Sequence, residues 1–180
     1  MKKQPTSSMC FVCGEQNPAG VHTRFYEQED GSVCARFVGA EQHQGYPGRM
    51  HGGVITAIMD ETIGRAIMIR YGDDIWGVTI ELNVNFRKPV PLGVELKVVG
   101  RILQEHHRVF SGSGELYLPD GSVAAEATGK YVKLSLTQIG PFDREQVGWG
   151  IRPDQEAVEP SRGSMARPCG DLICRNDQGA

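Results

Sequence analysis

The sequence predicts an α+β fold in which an antiparallel sheet wraps one long helix. Three observations predict it. Apolar residues run almost all round the helical stretch Val54, Ile55, Ala57, Ile58 and Met59, as in a helix enclosed by other structure. Two strand-like runs joined by a hairpin signal precede it, and two-residue alternation marks the first strand after it. Strands precede the helix as a pair and follow it as a group of four, so the βαβ alternation of a doubly wound sheet is missing. With 180 residues, the chain has room for one such domain over 21–138. A polar N-terminal segment, 1–20, and a polar tail, 139–180, flank it.

The elements follow in order. The first 20 residues are polar apart from Cys10-Phe11-Val12-Cys13 and close on Asn17-Pro18-Ala19-Gly20, a turn sequence. Strand-like runs Val21–Tyr26 and Ser32–Val38 meet across Glu29-Asp30-Gly31, a hairpin signal. A Gly-, Gln- and His-rich loop, Gly39–Met50, leads into a helix expected from Gly52 to Arg70. Between Thr79 and Arg87 the chain alternates, with Ile80, Leu82, Val84 and Phe86 on one face and Thr79, Glu81, Asn83, Asn85 and Arg87 on the other. Pro89 and Pro91 end that strand. Val94–Leu103, Arg108–Leu118 and Val123–Leu134 form a meander, turning once at Pro119-Asp120-Gly121. Beyond Ile139, five arginines and seven acids mix with Pro and Gly without apolar period, so a disordered tail is expected. Trp149 and Ile151 favour the rival reading, docking on a partner subunit.

Composition removes several function classes. A net charge of −3 offers no basic surface for nucleic acid. No apolar run reaches the ~18–20 residues of a membrane span. Met1-Lys2-Lys3-Gln4-Pro5 has no apolar stretch after its basic residues, so no signal peptide is expected. Five cysteines is an odd number for a disulfide framework, and a cytoplasmic location is expected.

The chemistry points to His51-Gly52-Gly53 and Asp60. Two glycines at a helix start leave backbone N–H groups open to close approach at the positive end of the helix dipole, which suits a carbonyl oxygen becoming an oxyanion. Asp60 lies seven residues, about two turns, after Gly53. A carboxylate in an apolar helix is costly unless used or paired, so Asp60 either reacts or bonds to a strand residue. Glu61 precedes Arg65 at i+4 and reads as half of a surface ion pair. His51 either caps the helix or orients a carbonyl. His22, His106 and His107 lack partners at metal-ligand spacing and read as solvated. Cys10 and Cys13 resemble half a zinc ribbon, but no second C-x-x-C follows, and Cys34, Cys169 and Cys174 are remote in sequence. Packing of a turn and redox chemistry are the alternatives there. No metal and no cofactor is expected.

HGGVITAIMDETIG followed by TIELNVNFRKPVPLG resembles the hotdog-fold acyl-CoA thioesterases of the PaaI type, and CFVCGEQNPAG and HQGYPGRMHGG resemble bacterial members of the same branch. The likeness spans about residues 10–135. It implies the hotdog fold, a long central helix wrapped by an antiparallel sheet, and an acyl-CoA hydrolase acting as a homodimer or a dimer of dimers with sites at the subunit interface. Asp60 matches the family's general base or nucleophile, the Gly52 and Gly53 amides its oxyanion donors, and His51 the motif histidine. Thr79 matches a threonine that helps hold the attacking water from the other subunit. Asn85, Arg87, Lys88 and Arg108 match positions that contact CoA. Relatives with an Asn or Gln before HGG differ here, where Gly45 stands; Gln44 or His43 are the candidates for that role. Met59, Ile63 and Ile67 line the acyl pocket or belong to the core. The rivals are a hotdog hydratase or dehydratase, a non-catalytic acyl-CoA-binding protein, and a zinc-linked interaction module.

Overall fold

The computed structural model describes residues 1–141 and 143–153. Its elements are β1 (Lys2–Lys3), β2 (Arg24–Glu27), β3 (Val33–Val38), α1 (Gly52–Gly64), a 3₁₀ turn (Arg65–Ile67), α2 (Met68–Tyr71), β4 (Ile75–Phe86), β5 (Glu95–Glu105), β6 (Val109–Tyr117), β7 (Val123–Ser135) and α3 (Leu136–Ile139). One antiparallel sheet runs in the order β1-β2-β3-β5-β6-β7-β4 and curls around α1. This is the hotdog arrangement.

Two hairpins use the same chemistry. At Asp30-Gly31-Ser32 and Asp120-Gly121-Ser122 the glycine takes a positive φ, and the aspartate Oδ1 accepts the serine backbone N–H two residues on. The sheet meets the helix at glycines. A Cβ on Gly100 would lie 2.9 Å from the Thr62 carbonyl oxygen, and one on Gly112 would lie 2.5 Å from the Ile63 side chain. Met59, Ile63 and Ile67, all fully buried, belong to this core.

Four expectations need correction. Enclosure is complete along Thr62–Met68, while Val54 and Ala57 in the first half of α1 are half-buried and Gly53 is exposed. Strict alternation fails in β4, because Thr79 pairs with Tyr131 and Glu81 with Lys130, leaving Ile80 as a bulge. The extra residue shifts the phase. Thr79 therefore shares the helix-facing side with Leu82, Val84 and Phe86, opposite Asn83 and Asn85, and Ile80 is 59% exposed. Arg65 does pair with Glu61, but its guanidinium is buried and not on the surface.

The last correction is to the tail. As far as residue 153 the chain past Ile139 is docked on its own domain. Gly150 bridges to Thr6, the Trp149 ring lies 4.7 Å from that of Trp76, and Arg144 bonds Asp73 and Asp74. Trp149, which favoured the rival reading of docking on a partner subunit, packs here on Trp76 and Asp73 of its own chain. The expectation of disorder over 154–180 lies outside the described residues.

Candidate functional site

Asp60 projects from α1 toward β4 and β7. Its Oδ1 accepts from Thr79 Oγ1 at 2.8 Å, and the Tyr131 hydroxyl lies 3.1 Å from the same oxygen and 3.3 Å from the Asp60 carbonyl. Among the described residues Oδ2 has no hydrogen-bond partner. The carboxylate is therefore held by one oxygen with the other free to act. Burial, then the charge of Asp60 and their hydrogen bond, push the Tyr131 phenol above its ordinary pKa, so it stays a donor. Tyr131 follows Ala125, Ala127 and Gly129 on the helix-facing side of β7, the large residue after three small ones. A large aromatic closing a run of small residues on one face is the signal in the sequence for a side chain that reaches the helix.

Asp60 and Thr79 line a cavity of about 430 Å³. Its other walls are the Cys10–Cys13 turn, Glu61, Arg65, Met68 and the aromatic pair Trp76 and Trp149. The lining is mainly apolar, with a carboxylate at one side and the Glu61–Arg65 pair at another. Arg65 ties the segments together. It donates to Glu61 Oε1 at 2.8 Å, to the Pro5 carbonyl at 2.9 Å and to Cys13 Sγ at 3.3 Å, and it lies over the Phe25 ring at 4.2 Å.

The helix start stands apart from this cavity. His51 caps α1, its Nδ1 accepting the Gly53 N–H at 2.9 Å. That use takes up the Gly53 donor expected for an oxyanion. The Gly52 N–H has no acceptor among the described residues. At 1.5 Å per residue, Gly52 lies about 12 Å along the helix from Asp60. A single chain does not bring the two onto one carbonyl.

The four cationic and amide positions are divided in the same way. Asn85 donates to Asn83, and Arg87 pairs with Glu126 at 2.9 Å on the face of the sheet away from Asp60. Lys88 follows, exposed, with its N–H bonded to the Ala124 carbonyl. Arg108 is exposed at the β5–β6 turn, where its carbonyl accepts from Lys133. Ala124, which both Arg87 and Lys88 bond, and Lys133 are nine residues apart on β7, so Arg108 is about 30 Å from Arg87 and Lys88.

His43 and Gln44, the candidates for a residue touching a thioester, are both engaged by their own loop. His43 is buried, with Nδ1 accepting from Ala40 and Nε2 beside the Ala19 carbonyl. Gln44 Oε1 is occupied by the Gly48 N–H. Both hold the loop before α1. Cys10 and Cys13 lie with Glu61, their sulfur and carboxylate oxygen atoms all within 4.8 Å of one another. That third member was not visible from the cysteine spacing. No helix among the described residues is long and apolar enough to cross a membrane.

Residues 47–125 match the thioesterase superfamily. The acyl-coenzyme A thioesterase THEM4 of Mus musculus is 30% identical over 115 residues, 63% of this chain and 48% of that protein. The chain thus spans about half the length of the curated relatives it matches. A crystal structure of a thioesterase superfamily protein superposes with a TM-score of 0.63 at 27% identity, covering 68% of this chain and 62% of the other. A conserved protein from Pseudomonas aeruginosa gives 0.58 at 29% identity, covering 63% and 90%.

Proposed function

From a chain whose residues 47–125 carry the thioesterase superfamily region in a hotdog fold, we propose that the protein hydrolyses acyl-CoA thioesters to the free acid and CoA, with Asp60 as the reacting carboxylate. One observation carries this reading. Asp60 has Oδ1 fixed by Thr79 and Tyr131 and Oδ2 free at the wall of an apolar cavity. A carboxylate so held presents one lone-pair-bearing oxygen to a water, as its general base, or to the thioester carbon, as its nucleophile. Thr79 and Tyr131 act as positioning residues. The cavity takes the acyl group, and its Trp76 and Trp149 walls suit an apolar chain or ring.

The oxyanion needs a donor about 3 Å from the carbonyl oxygen. The Gly52 N–H of the same helix lies about 12 Å along it from Asp60, out of reach of that carbonyl. A homodimer resolves this if the helix start of one copy meets Asp60 of the other. The strand β4 favours such an assembly. It is twelve residues long, ends the sheet, and exposes Val78, Ile80 and Phe86. An open apolar edge of that length invites a second strand. Two such dimers pairing back to back would give the dimer of dimers. In this arrangement Asn85, Arg87 and Lys88 offer amide and cationic groups to the CoA arm, and Arg108, which is remote from them, contacts it only from another copy.

The test is release of free thiol from short-, medium-, long-chain and aryl acyl-CoAs by the full chain. Turnover of at least one class supports the reading. Tight acyl-CoA binding without turnover of any class would make the protein an acyl-CoA-binding protein instead.

A further inference from the structure

The Cys10-Phe11-Val12-Cys13 turn supplies no reacting group to the hydrolysis proposed above, yet it forms one wall of the cavity that holds Asp60. We propose that Cys10 and Cys13 are a redox pair that exchanges with low-molecular-weight disulfides, Cys10 attacking and Cys13 resolving.

Four features of the turn carry this. First, the Gly14 N–H bonds the Cys10 carbonyl at 2.8 Å, closing a tight turn. A Cβ on Gly14 would lie 2.5 Å from Cys10 backbone atoms, so only glycine fits there. Residues three apart in such a turn have Cβ atoms about 5–6 Å apart, and the two sulfurs lie within 4.8 Å. A modest rotation of the side chains brings them to bonding distance.

Second, the surroundings of Cys10 are those of an attacking thiolate. Its sulfur accepts the backbone N–H groups of Val12 at 3.3 Å and Cys13 at 3.4 Å. The Cys13 side chain within 4.8 Å, and then these backbone donors, hold the Cys10 thiol below its ordinary pKa against burial and the charge of Glu61. Third, Glu61 Oε2 lies 3.3 Å from the Cys10 sulfur, placed to receive its proton. Fourth, the two thiols differ in access. Cys10 is half-buried and borders both the 430 Å³ cavity and a second of about 400 Å³, whereas Cys13 is 1% exposed. The neighbouring Cys10 side chain, then burial, push the Cys13 thiol up, as befits the partner that reacts second.

The exchange balances without a further reagent. Cys10 passes its proton to Glu61, and its sulfur attacks one sulfur of the small disulfide. That disulfide breaks, a mixed disulfide forms, and the departing thiolate takes the proton. Cys13 sulfur then attacks Cys10 sulfur and releases the second small thiolate, which leaves with the Cys13 proton. Two protein thiols and one small disulfide become one protein disulfide and two small thiols, with two electrons moved. A divalent metal fits the same cluster less well. The Arg65 guanidinium lies 3.3 Å from Cys13 sulfur, and it also holds Glu61 Oε1, so a cation would meet a fixed positive charge.

The test uses the full chain, reduced and desalted, in glutathione buffers of increasing oxidised fraction, with differential alkylation and peptide mass mapping. The expected result is loss of two hydrogens linking Cys10 to Cys13, reversed by dithiothreitol. Cys13→Ser should trap a glutathione adduct on Cys10, and Cys10→Ser should leave Cys13 unmodified under the same conditions. Should either variant misfold, the mapping of the wild-type chain decides alone. Both thiols remaining free in fully oxidised glutathione overturns the proposal. So does an adduct on Cys13 and not on Cys10, or stoichiometric zinc in the purified protein that shields both thiols. None of these readouts depends on thioester hydrolysis.

Discussion

Thr79 Oγ1 donates to Asp60 Oδ1 at 2.8 Å, and it does so because the bulge at Ile80 turns Thr79 toward the helix. The bond joins β4 to α1 at a carboxylate whose other oxygen has no hydrogen-bond partner among the described residues. Removing it should loosen the carboxylate without removing it. Thr79→Val is expected to lower kcat about tenfold, the worth of one hydrogen bond to a charged group, with KM little changed. Tyr131→Phe should act in the same direction. Steady-state kinetics on the best acyl-CoA checks both, and a KM effect with unchanged kcat would make them substrate contacts.

Arg87→Ala should raise KM for acyl-CoA several-fold and leave kcat nearly unchanged. The side chain is exposed and about 26 Å along β4 from Thr79, too far to touch the carbonyl. Its ion pair with Glu126 is exposed on both sides and adds little stability. Acyl pantetheine, which lacks the nucleotide, should not sense the change, and rising salt should raise the wild-type KM more than the mutant's. Equal loss on both substrates would remove Arg87 from CoA binding.

Trp149→Ala should destabilise the protein by about 2 kcal/mol, less than a fully buried tryptophan because the ring is only half-buried. It loses the Trp76 ring at 4.7 Å and the hydrogen bond from its indole to Asp73 at 2.8 Å. A fall in Tm of about 4–8 °C is expected. Truncation after residue 140 should cost more, since the Arg144 ion pairs go too. An unchanged Tm in the truncated chain would mean that the segment adds nothing to the fold.

Glu105 reports on acid stability. Hydrogen bonds from Lys133, Tyr71 and Arg70, in that order of weight, outweigh burial and hold its carboxyl down to about 2. Because the folded value is depressed below the ordinary ~4.3, the stability it contributes is full above that value. It is lost as pH falls toward 2. The Tm of Glu105→Gln should therefore lie below wild type at pH 7, and the gap should close between about pH 5 and 2. A gap independent of pH would assign the effect to packing.

The fold was legible because its signals are local. The Asp-Gly turns and the apolar helix bounded by glycines each declare themselves within a few residues, and the order of elements then excludes a parallel sheet. Asp60 was legible as a carboxylate on an apolar helix. Its partner Tyr131 was not, because it meets Asp60 across 71 residues. Thr79 was named through the resemblance, as acting from the other subunit, and read on the wrong face, since a one-residue bulge leaves no mark in an alternating sequence; here it bonds Asp60 of its own chain. Arg65 read as a surface residue from its i+4 relation to Glu61. Its burial depends on the N-terminal segment and Trp149 closing over it, which only the folded chain determines.

The most direct measurement of the central claim is turnover by Asp60→Asn beside Glu61→Gln, on the acyl-CoA that the wild type cuts best. The change at Asp60 is isosteric and keeps an oxygen for Thr79 and Tyr131, but it removes the base or nucleophile. Turnover should fall about a hundredfold or more with the circular dichroism spectrum and oligomeric state unchanged, while Glu61→Gln retains most of its activity. Near-wild-type turnover by Asp60→Asn together with an inactive Glu61→Gln would contradict the account and move the chemistry to the neighbouring carboxylate.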